Sequence, residues 1–246
     1  MKVGIIGLGR IAVEGFGIRG VETHMDGIRQ IPDLELAATY DIAKPCTHAG
    51  VNEVAEACDI VAVCTPPETH REICETIANH HNVLAVICEK PMAPSVEDAE
   101  AIARALSDRI LIVGHQRRYE SSHQAIRDSV QAKRFGEPTA IRSWFSGDYL
   151  NNGTHAADLC RFLGDDLPWS IERRDSGFGV HVAFTYGSIE RESYGALVGG
   201  YMRNMYQDAM NCIESGDTPQ CSGDDGIEAV RHALLAKERD EYVERL

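Results

Sequence analysis

Lysine is scarce in this chain. Five of its 24 basic residues are lysine (2, 44, 90, 133 and 237), and 38 acidic residues leave a formal net charge of −14. That balance argues against nucleic acid and against an anionic membrane surface as partners. No apolar run approaches the ~18 residues that a membrane span needs. The first residues enter an apolar strand directly, without the pattern of an export signal, so the protein is expected to be cytoplasmic. The eight cysteines (46, 58, 64, 74, 88, 160, 212 and 221) include no C-x-x-C pair and form no cluster with histidine at ligand spacing. Neither a disulfide framework nor a zinc site or other metal is expected.

The 246 residues are 43% hydrophobic, enough for one large or two modest domains. Over the first half, short β-rich apolar runs at 34–40, 59–64, 83–88 and 110–113 alternate with helical stretches at 51–58, 68–79 and from Ser95 to about Leu106. Near-continuous apolar strands separated by helices predict a parallel, doubly wound sheet. The second half reads differently. Helical stretches at 120–134 and 155–163 flank an alternating strand at 139–146. Two strands, 180–186 and 189–194, meet at the turn Gly187-Ser188. Helices at 198–215 and 224–244 follow, with Met202, Met205, Met210 and Ile213 at core spacing. The expected fold class is α/β: a dinucleotide-type parallel domain over 1–117, then a smaller α+β domain with an antiparallel or mixed sheet over 118–246.

The chain opens Lys2-Val3-Gly4-Ile5-Ile6-Gly7-Leu8-Gly9-Arg10-Ile11-Ala12. A strand running into Gly-x-Gly-x-x-Ala is the dinucleotide-binding turn of the Rossmann fold. Gly7 allows the tight turn, Gly9 lets the backbone approach a pyrophosphate, and Ala12 is small enough for helix and sheet to pack. The following helix N-terminus offers N–H groups to the anion. The second strand ends on Asp41, which suits the ribose hydroxyls and would repel a 2′-phosphate, favouring NAD over NADP; a plain turn residue is the other reading. The spacing from Gly7 to Asp41 exceeds the usual ~20 residues, and Val13 to Thr23, with three glycines, reads as an insertion.

Ligands of open α/β sheets sit beyond the carboxyl ends of the strands. Thr65-Pro66-Pro67, Glu89-Lys90-Pro91 and Gly153-Thr154-His155-x-x-Asp158 fall there. Lys90 is either a solvated strand-end lysine or an ammonium that stabilises a developing alkoxide. His155 is either a helix-start histidine or a general base. Asp158, one turn on, can share its face.

The ordered set GIIGLGRIA, TPPETH, EKP, GHQRRY and GTHAADLCRFLGD resembles the Gfo/Idh/MocA oxidoreductase family, over residues 1 to about 165. The resemblance implies a Rossmann domain, an α/β domain whose open sheet often builds a subunit interface, and NAD(P)-dependent chemistry on a sugar, cyclitol or nucleotide-sugar. It implies that Lys90 is catalytic, that Glu89 lies near the nicotinamide ribose, and that Thr65, Pro66 and His70 line the cofactor channel together with the glycine turn, including Arg10 and Ile11. His155 takes the proton-transfer position, and Arg118 and Tyr119 lie near the substrate. Asn151 stands where many members have an aspartate; an amide cannot act as a base but can bond a sugar hydroxyl. The segment between Asp41 and Asp59 is short for the family, so a helix or strand under the adenine is expected to be missing; the second half is shorter too, so its sheet is expected to have fewer strands. The expected function is hydride transfer, with a homodimer or homotetramer as the assembly. An NAD-binding protein without catalysis and an NAD-dependent glycoside hydrolase are the alternatives.

Overall fold

The computed structural model describes residues 1–17, 21–164, 167–174, 179–193, 199–239 and 241–244. Five strands, β1 (Lys2–Ile6), β2 (Glu35–Tyr40), β3 (Ile60–Val63), β4 (Ala85–Cys88) and β5 (Ile110–Val113), pair in parallel in the order β2-β1-β3-β4-β5. Every residue of β3 and β4 is buried, which is why both read as unbroken apolar runs. The order is that of the doubly wound 3-2-1-4-5-6 sheet with its outer third strand absent. The residues that would build that strand are missing from the short stretch after Asp41, which reaches α2 (Val51–Ala57) as irregular chain. The outer edge of β5 is capped: Val113 N–H donates to the Cys221 carbonyl (3.0 Å), and Ile112 forms a single antiparallel bridge with Ser222.

The helix expected directly after the glycine turn is interrupted. Residues Arg10–Glu14 make one π-helical turn, in which the N–H groups of Ala12, Val13 and Glu14 all point at the Gly9 carbonyl, and Gly15 ends it at φ +72°. Regular helix resumes only at α1 (His24–Arg29), where Thr23 and Asp26 form a reciprocal cap. Gly15 and Gly17, at φ +72° and +66°, turn the chain out of the helix; residues 18–20 of the insertion lie outside the described residues.

The second sheet is mixed, in the order β10-β7-β6-β8-β9: β6 (Ala140–Phe145), β7 (Trp169–Arg173), β8 (Val180–Tyr186), β9 (Ile189–Ser193) and β10 (Glu241–Glu244), with only β6 and β7 parallel. Two of these strands correct the sequence reading. β7 was not foreseen, and the last helix ends at Arg239, after which residues 241–244 pair with β7. Tyr194 and Val198, assigned to a strand and a helix end, lie outside the described residues. One face of the sheet packs Ile141, Phe145, Val182 and Phe184 against α6 (Thr154–Gly164). The other carries Trp144 between the Arg142 and Arg174 guanidinium groups, 5.6 and 4.5 Å from its ring, with Arg142–Glu190 (2.7 Å) and Arg174–Glu172 (3.0 Å) ion pairs around it.

Residue 117 lies after the last strand of the first sheet, but later helices share that sheet's core. Met202, Met205, Tyr206 and Met210 of α7 (Tyr201–Ser215), and Ile227 and Val230 of α8 (Gly223–Arg239), belong to the same hydrophobic core as β1–β5. The methionine stripe lies on α1. A Cβ at Gly27 would fall 2.8 Å from the Met202 Cβ, so only glycine lets the two helices meet this closely. The chain leaves the first lobe, builds the second sheet, and returns to finish the first.

Candidate active site

The carboxyl ends of β1 and β3 flank the point where the strand order reverses. Gly7 sits there at φ +87°, and a Cβ on it would come 2.8 Å from Thr65 Cγ2 and 2.9 Å from the Cys64 carbonyl carbon. Gly9 faces open space, with no atom within 4 Å of where its Cβ would be. Gly7, Gly9, Asp41, Thr65 and Pro66 line one cavity of about 470 Å³. A second, of about 330 Å³, is lined by Arg10, Ile11, Phe16, Glu89, Lys90, Gln116 and His155. Cys64 and Thr65 are common to both. The result is a cleft that runs from Asp41 to Lys90, open where a glycine permits close backbone approach. A dinucleotide fits this arrangement. Ala12 is fully buried and packs the core, as its size predicts.

Asp41 both ends β2 and ties its loop. Its Oδ2 accepts from Leu8 N–H (2.7 Å) and its Oδ1 from Ala43 and Lys44 N–H (2.8 and 3.0 Å). The Leu8 bond, followed by those of Ala43 and Lys44, holds the carboxyl below the usual aspartate range. Lys44 beside it is engaged by the Leu8 carbonyl (2.6 Å) and Glu14.

Lys90 and His155 come from different lobes and face the same cavity. The Lys90 ammonium donates to the Asn151 side-chain oxygen. Burial pushes its pKa down; Glu89 opposes this and Arg117 adds to it. His155 is 7% exposed, and its Nδ1 is buried without a protein partner, leaving Nε2 to the cavity. Burial first, then the charges of Lys90, His115, Arg117 and His123, hold its pKa well below the ordinary histidine value, so the ring is neutral at pH 7. The ring of His115 stands edge-on to it, 5.4 Å away.

Glu89 lines the cavity but is buried, and its Oε1 lies 3.0 Å from Nε2 of His24. The other nitrogen of His24 bonds the Tyr206 hydroxyl (3.0 Å). Burial works against a charge on His24, yet Cys64, Tyr206 and Glu89 together raise its pKa well above normal, while Glu89 stays ionised. A buried ion pair thus underlies the lysine, built from α1, the end of β4 and α7. Sequence reasoning missed His24 and Tyr206. The capping pattern Thr23-x-x-Asp26 marks a helix start at His24, but nothing local says where the ring points.

Four expected site residues lie elsewhere. His70 is fully buried, with Nε2 on the Thr65 carbonyl (2.8 Å) and Nδ1 on the Met92 carbonyl (3.1 Å). It braces the wall of the channel from behind and does not line it. Arg118 is buried and donates to Asp158 (2.9 Å), Asp225 (2.9 Å) and the Gln220 carbonyl (2.9 Å). Asp158 is consumed by that pairing. Tyr119 is buried and donates its hydroxyl to Asp208 (2.8 Å). Arg118 and Asp158 join the lobes, while His70 and Tyr119 bond within the first. Among the described residues, no group of three or more His, Cys, Asp or Glu is placed to hold a metal, and no helix is long and apolar enough to cross a membrane.

Residues 1–117 match the family model GFO_IDH_MocA, described as the oxidoreductase family, NAD-binding Rossmann fold. This half belongs to the Gfo/Idh/MocA family. Among curated relatives, the inositol 2-dehydrogenase of Rhizobium meliloti (strain 1021) is 26% identical over 199 residues, 70% of this chain and 57% of that protein. The 4-carboxy-2-hydroxymuconate-6-semialdehyde dehydrogenase of Sphingobium sp. (strain NBRC 103272 / SYK-6) is 33% identical over 187 residues, 61% and 57% respectively. The chain thus spans little more than half the length of these two relatives. Among solved structures, a putative myo-inositol dehydrogenase from Sinorhizobium meliloti 1021 superposes with a TM-score of 0.76 at 19% identity, covering 98% of both chains. That likeness is one of fold, and it covers both lobes.

Proposed function

We propose that this Gfo/Idh/MocA protein is an NAD-dependent oxidoreductase acting on a CH–OH or C=O carbon of a sugar, cyclitol or nucleotide-sugar. The observation that carries the reading is that an amine and a neutral imidazole, from opposite lobes, share one cavity, which meets the cavity of Gly7, Gly9 and Asp41 at Cys64 and Thr65. When bound, the nicotinamide supplies a hydride acceptor or donor. In the oxidising direction the carbinol carbon gives up hydride and its hydroxyl gives up a proton, leaving a ketone. His155 Nε2 is the atom that takes the proton, because burial and neighbouring cations keep the ring unprotonated. The Lys90 ammonium stabilises the alkoxide as it develops. Asn151 fixes the direction of that ammonium and cannot compete for the proton. Asp41 favours a free 2′-hydroxyl, and Lys44 beside it is already neutralised by Glu14, which together support NAD over NADP.

Lys90→Met tests the reading. Turnover is expected to fall by at least about 10²–10³-fold, as for loss of one transition-state donor, with NADH affinity by fluorescence titration within about threefold. Full activity in that variant would overturn the assignment.

A further inference from the structure

We propose that Phe16 selects the substrate: the carbon face of a single saturated ring, a pyranose or a cyclitol, lies on its aromatic ring. The proposal rests on the oxidoreductase reading above and adds the residue that tells a ring from an open chain.

Phe16 lies in the insertion that follows the dinucleotide turn, between Gly15 at φ +72° and Gly17 at φ +66°. Left-handed backbone on both sides of one residue is a path that glycine follows freely and other residues do not. The chain thereby leaves the core at this point. Ile11 and Val13 pack against the hydrophobic core of the first lobe, while Phe16 stays out of it and is 44% exposed. A single apolar side chain at a protein surface is ordinary. Phe16 differs in its place: it forms part of the wall of the inner cavity, together with Lys90, Gln116 and His155.

The lining of that cavity divides by chemistry. Ile11 and Phe16 bring large carbon surfaces, and both come from the segment after the glycine turn. Lys90, Gln116 and His155 bring donors and acceptors, from the end of β4, the turn after β5 and the start of α6. A pyranose or cyclitol ring has the matching division, with hydroxyls around its rim and C–H groups on its faces. The face of an aromatic ring is negative and attracts the slightly positive hydrogens of those groups, and the contact takes the exposed carbon of Phe16 out of water. An open-chain polyol offers the hydroxyls without the flat carbon face. At about 330 Å³ the inner cavity is at the small end of ligand sites, which suits one ring better than a sugar joined to a nucleotide. The cavity of Gly7, Gly9 and Asp41, which suits the dinucleotide, is not lined by Phe16.

The test sets rings against open chains: D-glucose with D-sorbitol, D-galactose with galactitol, and myo-inositol and scyllo-inositol with both polyols. Calorimetry on the full chain loaded with NADH gives affinity, and NAD reduction gives kcat and KM. At least one ring is expected to bind about tenfold tighter than its open-chain counterpart. Phe16→Ala should bring that pair to within about twofold, by a rise in KM with kcat little changed and NADH affinity within about threefold. Phe16→Trp should keep the preference, and Phe16→Leu, apolar without a flat face, should recover only part of it. If Phe16→Ala does not fold, the contrast of Trp with Leu carries the test. No binding of any ring, equal binding of rings and open chains, an alanine variant that keeps the preference, or leucine serving as well as tryptophan would overturn the proposal. So would a loss of NADH affinity as large as the loss for the ring, which would place Phe16 over the nicotinamide. Ring binding that depends on Phe16, with no NADH formed from any ring, would instead defeat the oxidoreductase reading and leave the stacking site standing.

Discussion

The Asp41 carboxylate accepts three backbone N–H groups, which leaves room for about one further donor among its ~four lone-pair sites. A ribose hydroxyl can take that place; a 2′-phosphate would face like charge. Asp41→Ala should weaken NADH binding by about 10- to 100-fold, the usual cost of losing a bond to a charged acceptor, and NADPH binding by clearly less. Fluorescence titration with both nucleotides decides it; equal losses would remove Asp41 from cofactor choice. The residue scale is also where sequence reasoning strained most. The placement of Gly7, Gly9, Lys90 and His155 on the cavity walls follows from the sequence, because each sits at a position whose backbone alone fixes its neighbourhood: a strand end or a helix start. Arg118, Tyr119, Asp158 and His70 were assigned to the correct neighbourhood and the wrong direction. In a string such as GHQRRY, only the phase of a four-residue turn decides that Gln116 lines the cavity while Arg118 turns to Asp158 and Asp225.

At the scale of elements, the tight crossing of the β1 turn over the end of β3 depends on Gly7. Gly7→Ala combines a left-handed backbone, costing about 1–2 kcal/mol for an L residue, with a contact to Thr65 and Cys64 that must shift backbone. The variant should lose at least about 2 kcal/mol in urea unfolding and bind NADH more weakly; a stability within error of the parent would show that the turn has slack. The five parallel strands were readable from their unbroken apolar runs. β7 (WSIER) and β10 (EYVE) were not, because each is short and carries charge; β7 lies between β6 and β10, and β10 owes its extended form to a partner more than 60 residues away in the sequence.

For the whole molecule, Arg118 is the tie between lobes, bonded to α6, α8 and the strap before α8. Arg118→Ala leaves Asp158 buried and unpaired and should cost about 3–5 kcal/mol, read as a fall in thermal midpoint; an unchanged midpoint would mean water replaces the guanidinium. Stability should also depend on pH. Burial holds His70, His115, His123, His155 and His232 below the ordinary histidine value, His123 and His232 at about 4. Below the ordinary value the unfolded chain binds more protons at these sites than the folded one, so their contribution is present at neutral pH and lost as pH falls. His24 acts in reverse, its contribution being full in acid and lost only as pH rises through its raised value. With five sites against one, the midpoint by calorimetry should drop between pH 7.5 and pH 5; a flat or rising profile would show these rings are not neutral in the folded protein.

Because α7 and α8 seat on the sheet that residues 2–113 begin, the order of synthesis and the order of completion differ. While a ribosome is still making the second lobe, the finished strands must wait with the bed for Met202, Met205 and Tyr206 uncovered. Half-made copies therefore present sticky, greasy surface while the residues between 113 and α7 are translated, and an opening for chaperone capture of the nascent chain is built into the threading of this fold.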